Sequence, residues 1–141
     1  MAKLHLLKLC VGVESPEELA VWQARRMAAG MKAPNHTTRM WPRRAAELLD
    51  GGSLYWVMKG RIASRQRITS LDEVIDEEGI RRCKIVMSPE LIRVASTPKR
   101  AFQGWRYLTA EDAPRDLGLV SETATDLPAE LSEELARIGV I

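Results

Sequence analysis

Two periods of apolar and polar residues alternate along this chain, and together they predict a mixed fold. From Lys3 to Val13 the apolar Leu4, Leu6, Leu9 and Val11 follow a mixed period, which predicts a strand buried partly on both faces. Ser15-Pro16-Glu17-Glu18 then marks a helix start. The hydroxyl caps, the proline fits the first turn, and Glu18 takes the capping-box position. Leu19, Trp22, Arg26 and Ala29 recur at helical spacing and Gly30 stops the helix, so Trp22 is expected in the core. Lys32–Thr38 reads as a loop broken by Pro34 and Asn35. Trp41 precedes a proline and is expected extended. Pro42 opens a second helix that runs through Leu49 to the Gly51-Gly52 stop. Its Ala45, Leu48 and Leu49 face inward, with Arg43 and Arg44 outward.

Strand periods take over after that. Ser53–Met58, with Tyr55, Trp56 and Val57 in succession, is the strongest strand signal, and Lys59-Gly60 marks a bend or bulge. Arg61–Leu71 follows as a strand with Arg61, Ala63, Arg65 and Arg67 on one face and Ile62, Ser64, Gln66 and Ile68 on the other. Asp72–Gly79 is an acidic connection to the strand Ile80–Met87, which sets Cys83, Ile85 and Met87 against Arg82 and Lys84. Pairing of these two strands would set two cation rows on one face, unfavourable unless something negative covers them. Leu91–Ala95 is a short edge segment and Thr97–Arg100 a basic loop. Phe102–Leu108 is a closing strand, Thr109–Asp112 a short helix or turn, and a polar linker follows Gly118. A terminal helix spans Pro128–Ile138, with Leu131, Leu135 and Ile138 as its apolar stripe. The fold class expected is α+β: a small, mostly antiparallel, barrel-like sheet with helices inserted near the N-terminus and a helix at the C-terminus. The alternative is an open antiparallel sheet covered by helices on one face. One domain is expected, with a core over about 1–108 and an acidic helical appendage over about 109–141.

Charge sharpens this picture. The net charge of +2 conceals segregation: residues 21–70 carry ten Lys or Arg against Glu47 and Asp50, and residues 81–107 carry seven against Glu90. Residues 71–80 carry only acids, five of them, and residues 108–141 set two Arg against eight acids. A basic centre with an acidic tail points to an anionic partner or to a tail folded back on the centre, set against an ordinary surface whose charges interleave on folding. No apolar run is long enough for a membrane helix, and Lys8 interrupts the N-terminal apolar stretch, so neither membrane span nor signal peptide is expected. Cys10 and Cys83 each sit in an apolar strand and are expected as free thiols in a reducing cytoplasm.

Candidate chemistry is sparse. His5, His36, Cys10 and Cys83 lack paired ligand spacing, no nucleophile elbow or phosphate-binding glycine loop occurs, and neither metal, cofactor nor catalytic residue is assigned. Arg39, Arg43 and Arg44 surround the start of the second helix, where a bound anion or simple solvation would settle their charge. With Lys59, Arg61, Arg65 and Arg67 they could line one basic cleft, walled by Trp41 or Trp105. Trp105, beside Arg100 and Arg106, reads either as core or as a stacking platform for a base. The leading functional expectation is a nucleic-acid-binding module, RNA before DNA, through Arg39, Trp41, Arg43, Arg44, Lys59, Arg61, Arg65, Arg67, Arg100, Trp105 and Arg106. The rival is an enzyme on a nucleotide or other small anion, with His36, Arg39 and Lys59 as contacts. A third reading makes the aromatics a dimer interface.

Thr38-Arg39-Met40-Trp41-Pro42-Arg43-Arg44, Gly51–Gly60 and Phe102-Gln103-Gly104-Trp105-Arg106-Tyr107-Leu108 resemble a family of small bacterial proteins of unknown function, over about Leu4–Leu117. That resemblance implies no activity. More distantly, the order strand, helix, helix, Gly-rich stop, apolar strand, bend and basic strand is similar to PUA-like barrels, including the ASCH group. Those bind RNA or modified bases in a cleft beside the barrel, and the resemblance implies such a cleft here. The G-x-K-x-x-E-x-R signature of the ASCH group is missing: Lys59 and Arg61 flank Gly60 without the glutamate.

Overall fold

The structure, a computed structural model, describes residues 3–123. The elements run β1 (Leu4–Leu9), α1 (Pro16–Ala28), β2 (Asn35–Thr38), α2 (Ala45–Leu49), β3 (Ser53–Met58), β4 (Arg61–Ile75), β5 (Arg81–Met87), β6 (Ile92–Pro98), β7 (Trp105–Thr109), β8 (Asp116–Leu119) and α3 (Val120–Thr123). The strands lie in the order β2-β5-β4-β3-β1-β7, with β6 on β4 and β8 on β6. Among the described residues only β1 and β3 pair in parallel; the other six pairings are antiparallel. The long β4 joins the parts, since Arg61–Arg65 meets β6 while Ile68–Ile75 meets β5. The α+β class holds, but the sheet is open rather than barrel-like. Closure requires the outermost strands to pair, and among the described residues β7, β8 and β2 each have a single partner strand.

All six residues of β3 are buried because both of its faces are covered. One face joins Leu4, Leu6, Leu54 and Trp56 to Leu19 of α1, Leu48 of α2 and Val120 of α3. The other joins Leu7, Tyr55, Val57, Ile62, Val94 and Leu108, with Phe102 and Ala113 packed on them. The unbroken apolar run of β3 thus reflects a strand with no solvent side. Lys59 (φ 52°) and Gly60 (φ 75°) both take left-handed backbone, as a two-residue hairpin turn requires.

The helices follow their start signals more closely than their faces. Ser15 Oγ accepts from Glu18 N–H at 3.2 Å, and Glu18 Oε2 accepts from Glu14 N–H at 3.1 Å. The buried positions of α1 are Pro16, Leu19 and Gln23, while Trp22 is 45% exposed. Trp22 is therefore not the core residue expected, because the inward stripe runs four residues on from Leu19 to Gln23. The second helix is shorter than expected. It starts at Ala45 after Pro42, buries Leu48 and leaves Leu49 42% exposed. Gly52 must be glycine, since a Cβ there would lie 2.4 Å from Leu48 O and 2.6 Å from Leu4 O.

Pairing corrects other expectations. Residues 35–38, expected as loop, form β2 against β5. The acidic stretch is not a connection, because β4 continues to Ile75 and the turn spans only Asp76 to Ile80. In that hairpin Asp72 lies opposite Lys84, Glu73 pairs with Arg81 at 3.3 Å, and Asp76 with Arg82 at 2.8 Å. The two cation rows do not meet, since the β4 arginines lie in the part that pairs with β3. A bulge sets Ile62 opposite Val57 and Ser64 opposite Trp56, so Arg61 and Arg65 oppose Met58 and Tyr55 and lie on different faces. Ile92 and Arg93 pair with both β4 and β8 rather than forming an edge, and Leu119 of β8 with α3 takes the start of the expected linker. The predicted helix Pro128–Ile138 lies outside the described residues. No helix among the described residues is long and apolar enough to cross a membrane.

Candidate ligand cavity

A cavity of about 520 Å³ opens between α1, the end of β1 with the loop after it, β2 and Trp56. That volume lies within the range of small-ligand sites, roughly 300–1,000 Å³. Lys8, Arg26 and His36 line it, and among the described residues no Asp or Glu does. Lys8 neighbours Trp56 across the β1–β3 ladder and is half-buried. Burial lowers the pKa of its ammonium, and no carboxylate pairs with it among the described residues. Arg26 stands with its guanidinium 4.4 Å from the centre of the Trp22 ring. His36, on β2, meets the Trp56 ring edge-on at 6.2 Å. Its burial, and secondarily the charge of Lys8, push its pKa down to about 4, so the imidazole is neutral near pH 7. Burial pushes the Cys10 thiol up to about 11, which keeps it protonated and a poor nucleophile.

Behind this wall lies a buried amide pair. Gln23 Nε2 donates to Gln66 Oε1 at 2.9 Å, and Gln66 Nε2 donates to Gln23 Oε1 at 2.7 Å. Trp56 Nε1 donates to Gln66 Oε1 at 2.9 Å, and Gln66 Nε2 also donates to Ser88 O at 3.1 Å. Gln66 is fully buried and fully satisfied, which is how a glutamine can occupy the interior of β4.

None of the eleven residues expected to bind nucleic acid lines this cavity. Arg39, Arg43, Arg67 and Arg100 are exposed and make no ion pair among the described residues. Arg44 binds Glu47 at 2.5 and 2.8 Å, so its charge is met within its own helix. Lys59 pairs with Glu14 at 3.4 Å, and Arg61 bonds to Ser96. Arg65 grips Asp116 at 2.7 and 2.6 Å and Ser53 Oγ at 2.8 Å. The guanidinium of Arg106 stands 5.6 Å from the Phe102 ring centre. Trp41 is half-buried under Arg81. Trp105 is buried at 7% exposure, and its Nε1 donates to Met40 O at 2.9 Å, the core outcome of its two readings. Of the rival contacts, His36 reaches the cavity while Arg39 and Lys59 do not. The sequence signals for the observed wall were a lysine interrupting the apolar β1 run and a Trp22–Arg26 pair four residues apart on α1. Both thiols are free, and Cys83 is buried.

A family model described as protein of unknown function (DUF1489) matches residues 6–141, and the chain belongs to that family. No curated protein and no solved structure matches the chain.

Proposed function

We propose that this member of the DUF1489 family is a nucleic-acid-binding module, RNA before DNA, that seats one nucleotide of a single strand in the α1–β2 cavity. The observation that carries the reading is a cavity wall with two cations, two tryptophans and, among the described residues, no carboxylate. A partly buried ammonium that no described carboxylate pairs with favours an anionic ligand. Trp22, exposed beside Arg26, offers a base an aromatic surface. Seating an unstacked base fits a single strand better than a duplex, whose bases are already paired. The exposed Arg39, Arg43, Arg67 and Arg100 supply cations for further phosphates.

Titration of a single-stranded RNA at several salt concentrations tests this. Lys8→Met is expected to weaken binding across sequences and lower the salt slope by about one. Trp22→Ala is expected to cost about 1–3 kcal/mol with the slope unchanged. Absence of binding by the parent protein at low salt rejects the proposal. A second reading, an enzyme on a free nucleotide or similar small anion, is favoured by the cavity's size and by His36 within it. It predicts that mononucleotides raise the melting temperature by mass action whereas oligonucleotides do no better.

A further inference from the structure

The sheet carries a second group of polar side chains on the side away from the cavity. Trp56 lines the cavity, and Tyr55, one residue earlier on β3, turns to the opposite face. There a chain of hydrogen bonds crosses four strands, β1, β3, β4 and β8. Ser53 N–H donates to His5 Nδ1 at 3.0 Å, and Arg65 Nη1 donates to Ser53 Oγ at 2.8 Å. Arg65 Nε and Nη2 donate to the two oxygens of Asp116 at 2.7 and 2.6 Å. A backbone N–H can only donate, so the neutral His5 ring carries its proton on Nε2. Burial, and after it the charge of Arg65, lowers the His5 pKa and keeps the ring in that form near pH 7. The Tyr55 ring meets the His5 ring edge-on at 5.0 Å. Both side chains are more than nine-tenths buried, His5 at 7% and Tyr55 at 4% exposure. Neither His5 Nε2 nor Tyr55 Oη has a hydrogen-bond partner among the described residues. Neither is sealed from solvent, since Ser64 Oγ is the one buried side-chain polar atom there that lacks a partner. Each ring therefore hides its body and leaves its polar tip unpaired at the surface. Arg67 lies opposite Ser53 in the β3–β4 ladder and shares this face with Arg65. It is exposed and makes no ion pair among the described residues.

We propose that His5, Tyr55 and Arg67 form a second binding site, for a small oxyanion, on the face of the sheet opposite the cavity. His5 Nε2–H and the Tyr55 O–H donate to its oxygens, and Arg67 supplies the positive charge. The histidine donor is set before the ligand arrives, because His5 is held by Ser53, Ser53 by Arg65 and Arg65 by Asp116. Arg65 occupies both oxygens of Asp116, so that carboxylate does not repel the ligand as a free one would. A phosphate group and a carboxylate share the chemistry required, several oxygen acceptors that carry negative charge. A metal cation does not fit, since Nε2 bears a proton and two guanidinium groups stand on this face. The site stands apart from the nucleotide reading of the cavity.

Nuclear magnetic resonance of the two histidine rings reads both sides of the sheet, with His5 on one and His36 at the cavity on the other. Sodium phosphate and sodium acetate are titrated at constant pH, each against sodium chloride at equal ionic strength. Phosphate or acetate is expected to shift the His5 ring signals saturably where chloride does not, and the tighter of the two identifies the ligand group. Tyr55→Phe keeps the ring and removes the hydroxyl, and is expected to weaken that anion about tenfold, in the range one hydrogen bond to a charged group supplies. Arg67→Gln, at an exposed position, is expected to weaken it several-fold. It keeps the test decisive if Tyr55→Phe fails to fold, which circular dichroism reports. His5 shifts that do not saturate, or that chloride reproduces, overturn the site. So does an affinity that the folded variants leave unchanged. Shifts confined to His36 overturn it as well, and place the anion in the cavity instead.

Discussion

His36 shows how much of this molecule's chemistry is set by the surroundings of one residue. It sits on a four-residue strand, beside an indole and near an ammonium, and burial is the larger cause of its depressed pKa. The sign of the consequence follows from linkage. Above about pH 6.5 the imidazole is neutral in folded and unfolded chain alike, so it contributes no pH dependence. Between about 6.5 and about 4 the unfolded chain takes up a proton that the folded chain refuses, so stability declines as pH falls through that window and levels off below it. Nuclear magnetic resonance titration is expected to put the His36 midpoint near 4, and His36→Gln is expected to flatten stability against pH across the same window. A midpoint near 6.5 would mean that the cavity wall is wet around this ring. Asp116 acts in the same acid direction, because the Arg65 guanidinium lowers its pKa and its contribution is lost as pH falls through that depressed value.

At the scale of elements, the β4–β5 hairpin explains where the segregated charge goes. Of the acids that look like a solvated connection, Asp72 and Glu73 continue as strand; Asp72 lies opposite Lys84, Glu73 pairs with Arg81, and Asp76 in the turn pairs with Arg82. Asp76 does more than pair, since its Oδ1 accepts the backbone N–H groups of Glu78 and Ile80 at 2.9 Å while Oδ2 accepts from Arg82. Glu73 makes only an exposed pair with Arg81. Asp76→Ala is therefore expected to lower the melting temperature clearly more than Glu73→Ala, by thermal denaturation at neutral pH. Equal effects would mean that the turn needs no cap. Arg65 belongs to the same class of structural cation. Its bonds to Asp116 and Ser53 tie β4 to β8 and β3, so its removal is expected to act first on stability.

For the whole molecule, β3 is the strand on which both cores rest, and Leu54, fully buried in the helix-covered core, lies opposite Gln66. Leu54→Ala is expected to destabilise the fold by about 2–5 kcal/mol in urea unfolding. A cost below about 1 kcal/mol would show that the core collapses to fill the gap. Local rules determined much of this protein. The Ser15 cap, the apolar run of β3, the Lys59-Gly60 turn and the period of β5 depend on neighbours within a few residues, and they are readable in the amino-acid order. Membership of a family of unknown function was legible in the same way. Tertiary structure alone decided the rest. Residues 35–38 and 116–119 become strands only because β5 and β6 offer unpaired edges. The bulge in β4 parts Arg61 from Arg65, so a basic face counted by simple alternation does not form. Gln23 is buried and Trp22 is not, because Gln23 finds its amide partner 43 residues away, and burying a polar side chain is tolerable only when such a partner is supplied. That pairing across 43 residues, one end of which lines the cavity, is encoded by no local pattern.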